Sequence, residues 1–354
     1  VSDPLKSIRG RIDVLDRRLL KLLSARARLA QRIGRLKEGA AYRPEREAQV
    51  LRGIIAENRG PLPDGALARL FTEIMSACRA LEDSMTAAFL GPEGTFSQEA
   101  AVKHFGGLTA LVACSSIDEV FRRVETGAAG YGVVPVENST EGAIGRTLDL
   151  LLSTPAQVCG EVMLPVRQCL MAKSGGLADI RKVYSHGQSL SQCQQWLARK
   201  LPHAGRIAVV SNAEAARLAA RERGAAAIGP GTAAALYGLK LLARNIEDDA
   251  KNTTRFLVIA ERDAAPSGHD KTSLVMSTRN VPGAMHELLT PLAEYQVSMT
   301  RLESRPSHTG LWEYVFYVDI EGHQRDPNVL RALAQLKQKA SFLKILGSYP
   351  AAVA

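Results

Sequence analysis

The sequence predicts a multidomain chain in which an all-α unit, an α/β unit and a smaller α+β unit follow one another. Three observations carry that expectation. An apolar stripe of helical period runs through the first forty residues. Short apolar runs alternate with helical segments from Ala87 onward. Beyond Asp270 the order becomes strand–helix–strand–strand–helix–strand. At 354 residues the chain is long enough for two or three cores.

The stripe steps through Ile8, Ile12, Leu15, Leu19, Leu22, Arg26, Leu29, Ile33 and Leu36, so residues 3–39 read as one long helix with a single charged interruption. Arg43–Arg59 reads as a second helix, with Pro44 tolerated in its first turn. "RGPLPDG" (59–65) breaks it. Ala66–Asp83 reads as a third, with Leu67, Leu70, Phe71, Ile74, Ala77, Cys78 and Leu81 on one face. Three helices, one of them very long, do not close a compact core, so the exposed seam calls for a partner chain.

From "AAFLGPEGTFSQEAAVKHF" (87–105) the pattern is strand, Gly-rich loop, helix. "ALVACSS" then precedes "IDEVFRRVETG", "YGVVPVENS" precedes "AIGRTLDLLL", and "KVYSHGQS" precedes "LSQCQQWLARKL". "RIAVVSN" precedes "AEAARLAARERG", and "AAAIGP" precedes "GTAAALYGL". "VRQCLMA" (166–172) and "RFLVIA" (255–260) read as strands returning to this α/β region. A linker at Glu261–Asp270 leads to strand Thr272–Ser277, helix Gly283–Tyr295, strands Val297–Ser304 and Trp312–Ile320, helix Pro327–Ala340 and strand Phe342–Gly347, a ferredoxin-like βαββαβ order. The units are thus drawn at 1–85, 87–262 and 271–354.

Net charge is +9, of which residues 1–85 hold +6. A basic helical segment suits either nucleic acid or a small anion held by several arginines. No helix-turn-helix pattern is present, because the first helix is too long and its key arginine lies in the seam. The five cysteines are odd in number, scattered and without C-x-x-C spacing, which suits reduced thiols in the cytoplasm rather than disulfides or a zinc site. The histidines show no ligand spacing either, so no metal is expected. The charged start (Asp3, Lys6, Arg9, Arg11) does not fit a signal peptide, and the most apolar later stretch, 225–243, is broken by Gly229, Pro230 and Gly231, so no membrane span is expected.

Four motifs carry chemistry. "GPEGTFS" (91–97) places backbone N–H groups and the hydroxyls of Thr95 and Ser97 at a helix start, an anion-binding arrangement without the ending of a nucleotide P-loop. An ordinary turn capped by either hydroxyl explains it as well. "VVPVENSTEGAIG" (133–145) offers Glu137, Asn138 and Ser139 after a strand. "YSHGQSLSQC" (184–193) offers His186, Gln188, Ser189 and Gln192, and "NTTRF" (252–256) offers Thr254 and Arg255. Each singly is turn chemistry. Together, at the strand ends of one α/β region, they mark a ligand cleft.

These motifs as a set resemble prephenate dehydratase. "GAM" (283–285) and "ESRP" (303–306) resemble the two effector-binding motifs of an ACT domain, and the basic three-helix unit resembles the all-helical chorismate mutases. The order across the chain is similar to the bifunctional chorismate mutase–prephenate dehydratase family of bacterial phenylalanine synthesis. The resemblance implies an intertwined helical dimer (or a higher homo-oligomer), two dehydratase lobes around a cleft like a type II periplasmic binding protein, and feedback by phenylalanine. Chorismate and prephenate are the substrates it implies, with no cofactor, nucleic acid or membrane partner.

For the mutase, the carried-over residues are Arg9, Arg26, Lys37, Arg46, Glu47, Cys78 and Glu82. A Claisen rearrangement needs no nucleophile; it needs a clamped dianion and stabilised charge on the ether oxygen. Arg9 and Arg26 are expected on the two carboxylates, Lys37 on a carboxylate and the ether oxygen, Arg46 in support, and Glu47 on the ring hydroxyl. Arg26 and Lys37 are eleven residues apart, roughly 16 Å along one helix face, whereas Arg9 lies roughly 25 Å from Arg26 and must come from a second chain. Glu82 stands where Gln is usual. A carboxyl there helps only when protonated, so mutase activity should fall as pH rises. Cys78 stands where Ser is common.

For the dehydratase, Thr254 matches the family's key threonine and is the expected donor to the departing hydroxyl. Arg255 is expected to anchor a carboxylate, and Thr95, Ser97, Glu137, Asn138, Ser139, Gln188 and Ser189 to line the cleft. Gly283, Ala284, Met285, Glu303, Ser304, Arg305 and Pro306 form the expected phenylalanine site, with Met285 where Leu is usual. Two alternatives stand beside this reading: an amino-acid-responsive DNA-binding regulator, and a dehydratase with an inactive mutase arm.

Overall fold

The computed structural model describes residues 4–36, 42–82, 84–306 and 314–353. Expectations at Asp3, Lys37–Gly39, Asp83 and Trp312 lie outside them.

The helical arm is α1 (Pro4–Leu36), α2 (Pro44–Glu57) and α3 (Asp64–Arg79). Pro44 opens α2 as expected, where its missing N–H costs nothing. At 33 residues α1 is about 50 Å long, and none of its residues is buried.

The α/β body begins with β1 (Thr86–Leu90), α4 (Phe96–Phe105), β2 (Ala110–Cys114), α5 (Ile117–Glu125), β3 (Tyr131–Asn138), β4 (Gly142–Ala143), α6 (Gly145–Ser153) and β5 (Gln157–Pro165). It crosses to a second lobe: β6 (Cys169–Ala172), β7 (Lys182–His186), α7 (Gly187–Gln192), α8 (Gln194–Lys200), β8 (Gly205–Val209), α9 (Asn212–Ala219), β9 (Ala225–Gly229), α10 (Gly231–Leu236) and β10 (Lys240–Arg244). It returns through β11 (Thr253–Ala260) to the first lobe. The sheets run β2-β1-β3-β11-β5, with β4 beside β3, and β10-β6-β9-β7-β8. Two chain crossings, 165–169 and 244–253, join the lobes.

The sequence reading omitted β5, although it is the longest strand of its sheet. Gly160 and Glu161 interrupt its apolar run, and Glu161 is buried because it is paired with Arg255 and Lys271. β10 was omitted as well. The single helix expected over 190–201 divides into α7 and α8 at Cys193. Asp248, from the returning crossing, takes the N–H groups of Gln195 and Trp196 and so caps the second piece.

The C-terminal unit is β12 (Asp270–Ser277), α11 (Ala284–Glu294), β13 (Met299–Pro306), β14 (Tyr314–Glu321), α12 (Pro327–Lys339) and β15 (Phe342–Pro350), with sheet order β13-β14-β12-β15. Its helices cover one face of the sheet through Leu274, Val318, Leu288 and Leu333.

The first lobe is packed on both faces. On one, an apolar cluster joins Tyr42 of the arm to Phe89, Phe105, Phe256 and Val258. On the other, Val134, Leu148 and Leu257 pack with Val275, Tyr317 and Tyr349 of the C-terminal sheet. The sheets approach so closely at Gly347 (φ 145°) that a Cβ there would lie 2.2 Å from Val158 O; only glycine fits.

Candidate active sites

The arm gathers one part of its expected site and leaves another apart. Arg26 donates from Nη1 to Cys78 Sγ of α3 at 2.9 Å. Glu82 sits in the turn after α3, its N–H bonded to Arg79 O at 2.8 Å. Its side chain lies over α1 at Gly34, where a Cβ would stand 3.0 Å from Glu82 Cγ. The missing side chain at Gly34 is what lets the Glu82 side chain lie directly against α1. Glu47 of α2 is ion-paired with Arg79 of α3. Burial pushes the Glu47 carboxyl above its ordinary range, while Arg79 and then Arg26 pull it back. Three expected residues (Arg26, Glu47, Cys78) therefore converge from three helices, while Glu82 lies against Gly34, about 12 Å along α1 from Arg26. Arg46 is exposed on α2, and Arg9 is exposed on the same continuous helix as Arg26, about 25 Å away along its axis. Lys37 lies outside the described residues.

Arg79 was absent from the expected set. Only 6% exposed, it bonds Glu47, donates to Phe105 O at the end of α4, and lies 5.2 Å from the centroid of Tyr42. A charged residue beside Cys78 at the close of an apolar helix was the available signal. Tyr42 in turn meets the half-buried ring of His104, Oη to Nε2, at 2.6 Å. Burial, aided by the nearby Arg79 charge, pulls His104 down to about 3.

The second constellation lies where β3 ends and β11 begins. Asn138 pairs with Thr254 across the ladder, and Glu137 pairs with Arg255. Cross-strand partners share a face and successive residues alternate, so the four divide two and two. Thr254 shares its face with Phe256 and Val258, the side covered by α4. Asn138 Nδ2 donates to Thr254 Oγ1 and to Asn252 Oδ1, both at 2.9 Å, while its Oδ1 accepts from Thr140 N and Oγ1. The Asn138 amide is thereby fixed. Because Thr254 Oγ1 accepts from Asn138, its own proton is left to donate outward.

Glu137 and Arg255 correct the expectation that they line the cleft. A bulge at Val136 shifts the β3 register, and both side chains point to the C-terminal sheet. Arg255, 8% exposed, donates to Glu161, Asp319 and Tyr349. Glu137 accepts from Arg301 Nε at 2.8 Å. A guanidinium with every nitrogen engaged by protein has none left for a substrate carboxylate.

Across the lobe boundary, Ser189 Oγ of α7 accepts from Gln168 Nε2 and Asn212 Nδ2, each at 3.0 Å. Gln192 Nε2 reaches Glu141 Oε1 of the first lobe at 3.3 Å. Gln188 is half-buried in the first turn of α7. Buried Gln168 Oε1 and Asn252 Nδ2 have no hydrogen-bond partner among the described residues. They leave one acceptor and one donor for a polar ligand. The sequence reading assigned no role to Gln168, Asn212 or Asn252; the first two lie in a crossing and at a helix start, where polar residues are ordinary. Thr95 caps α4, accepting from Gln98 N and donating to Leu90 O at 3.2 Å, so its proton belongs to the turn. Ser97 is buried. Ser139 clips β3 to β11, its Oγ accepting from Thr253 N at 3.0 Å.

The comparisons with known proteins fall on the same three parts. The prephenate dehydratase family profile matches residues 87–264, chorismate mutase type II matches 8–83, and the ACT domain matches 272–338. A bifunctional chorismate mutase/prephenate dehydratase of Neisseria gonorrhoeae is 54% identical over 98% of this chain and 96% of its own length. The chain belongs to the bifunctional chorismate mutase/prephenate dehydratase family. A relative of the same description from Stutzerimonas stutzeri is 50% identical over 99% of each chain. A solved prephenate dehydratase in complex with L-Phe from Arthrobacter aurescens is 34% identical, covers 75% of this chain and 90% of its own, and superposes with a TM-score of 0.70.

In the ACT unit the expected effector residues divide. Gly283 caps α11 with φ 81°, a left-handed turn that favours glycine, and Ala284 opens the helix. Met285 packs partly buried against the helix-side core. On edge strand β13, Ser304 and Pro306 are exposed and Glu303 is half-buried. Arg305 turns inward instead, with Nη2 on Asp149 Oδ1 at 3.0 Å and its guanidinium over Gly145, where a Cβ would lie 2.5 Å from Nη1. Its place in the effector set is corrected accordingly: it ties β13 to α6.

Proposed function

We propose that the chain converts chorismate to prephenate in its helical arm and prephenate to phenylpyruvate in its α/β cleft, with phenylalanine acting through the ACT unit. The observation that carries the reading is the Asn138–Thr254 hydrogen bond, which fixes a hydroxyl and leaves its proton to give.

In the first reaction Arg26 holds one carboxylate, Arg9 of a second copy the other, and Glu47, oriented by Arg79, accepts from the ring hydroxyl. Lys37, outside the described residues, serves a carboxylate and the ether oxygen, and Arg46 adds positive potential. Glu82 is the residue assigned to the ether oxygen. The dimer reading is supported by α1 itself: Leu15, Leu19, Leu22 and Leu29 are all more than half exposed on its stripe.

In the second reaction the ring C–OH bond and the C–C bond to the ring carboxylate break. The pair from the C–C bond aromatises the ring, carbon dioxide departs, and the hydroxide takes a proton to leave as water. Thr254 Oγ1–H donates to that oxygen, water or a neighbour resupplying the proton. Asn252, Gln188 and Ser189 donate to the substrate's anionic ends, and Gln168 Oε1 accepts from a substrate hydroxyl or a water.

We read the units as residues 1–85, 87–262 and 271–354. The two lobes with paired crossings support a type II periplasmic-binding-protein-like body, and the βαββαβ order supports a ferredoxin-like ACT unit whose Gly283–Met285 and Glu303–Ser304 segments take phenylalanine. No described helix is long and apolar enough to cross a membrane, and the reduced cysteines support a cytoplasmic enzyme. One coupled assay tests the whole: chorismate consumed, phenylpyruvate formed, and the rate lowered by phenylalanine. Turnover of prephenate alone would leave an inactive arm; no turnover of either would leave a regulator.

A further inference from the structure

The strand pair that presents Asn138 and Thr254 to the cleft presents Glu137 and Arg255 to the ACT sheet, one residue away along each chain. On that reverse face Arg255 is the centre of a buried, charge-balanced group. Two cations, Arg255 and Lys271, meet two anions, Glu161 and Asp319. Ser273 and Tyr349 complete the bonding of Asp319 and Arg255. Lys271, Ser273, Asp319 and Tyr349 all belong to the ACT sheet. Glu137 is held by Arg301 of β13, the strand that also carries Glu303 and Ser304. Arg301 makes that bond with Nε while its buried Nη2 has no partner among the described residues. A spare buried donor marks a pair with room to rearrange.

We propose that Arg255 and Glu137 are positioning residues for dehydration, setting the Asn138–Thr254 register from the ACT sheet so that a shift of β13 changes the placement of the Thr254 proton. The proposal rests on the reading of Thr254 as proton donor. A displaced pair of side chains reaches the cleft through a single peptide on each strand, and a misplacement of about 1 Å can cost about a hundredfold in rate.

The test uses the full-length protein. Glu137→Gln removes the ion pair at constant volume, and Tyr349→Phe removes one Arg255 acceptor without unbalancing the buried charges. Dehydratase kcat should fall about 10- to 100-fold in Glu137→Gln and less in Tyr349→Phe. KM should change little, the mutase rate should not change, and phenylalanine should still bind by calorimetry but inhibit less. The exchanged pair Glu137→Arg with Arg301→Glu should recover rate and inhibition. Unchanged kcat and inhibition in both single variants, with Thr254→Ala inactive, overturns the positioning role. Loss of phenylalanine binding and mutase rate together with kcat also overturns it, as mere structural damage. Full activity in Thr254→Ala overturns the underlying reading instead.

Discussion

The helical arm and the α/β body solve the same problem, gripping a small dianion, in opposite ways. In the body, the cleft residues are bonded to one another within one chain: Asn138 to Thr254 and Asn252, Gln168 and Asn212 to Ser189. In the arm, a 33-residue helix buries nothing, and two of its arginines stand about 25 Å apart. On the proposed reading, one site is finished by folding and the other by association. The two reactions should therefore respond differently to substitution, dilution and pH.

The largest expected effect isolates the body. Thr254→Ala should lower dehydratase kcat by about 10²- to 10⁴-fold, the range for a lost proton donor, and leave chorismate conversion untouched. Loss of both activities would erase the contrast. Next, Arg26→Leu should cost the mutase about 10²- to 10³-fold while the dehydratase keeps its rate, because an apolar residue completes the stripe but cannot hold a carboxylate. The same variant should raise the thermal midpoint; a lower midpoint would mean that the seam is not packed against a second stripe. On dilution, wild-type mutase activity should fall before dehydratase activity.

A smaller effect concerns the carboxyls of the arm. Glu82→Gln should raise the mutase rate, because an amide donates to the ether oxygen where a carboxylate repels the charge growing there. A rate unchanged by that substitution removes Glu82 from the ether oxygen. On the acid side Glu47 must stay ionised to accept, and burial raises the pH at which it does so.

The contrast also governs what could be read from the sequence. The stripe gave away α1 because one helix of period 3.6 carries its own pattern, and Arg26 was visible as its single fault. Thr254 and Asn138 were visible because each sits in a local motif at a strand end. The orientation of Arg255 and Glu137 was not. It depends on a bulge at Val136 and on Asp319, Tyr349 and Arg301, which lie 64, 94 and 164 residues away from their partners. The strand β5 escaped for the same reason: Glu161 looks like a surface residue until its buried cations are in place. Arg79 escaped because its partners come from α2 and from the end of α4. Periodicity reports which face is buried; it does not report against what.

The smallest effect lies at the seam between the two regions. His104 of the body, against Tyr42 of the arm, is held neutral by burial, down to about 3 from an ordinary value near 6.5. The folded state thus binds fewer protons than the unfolded chain between those values. Its contribution to stability is complete above about pH 6.5 and is lost as pH falls toward 3, at about 1.4 kcal/mol per pH unit for one proton. Glu47, in the same seam and pushed up by burial, acts in the opposite sense just above the ordinary carboxylate range, so the wild-type slope is a difference of the two. His104→Gln keeps an acceptor for Tyr42 Oη and carries no proton to gain. Its unfolding midpoint should therefore fall less steeply than wild type from pH 6.5 to 4.5, with the protection of the arm against proteolysis following the same course. The ACT interface offers the internal control. Arg255 there is held firmly in its charged form by Tyr349, Asp319 and Glu161 against the cost of burial, and its release should not move in that window. Equal slopes in variant and wild type would place the pH sensitivity of the arm elsewhere than in the His104–Tyr42 contact.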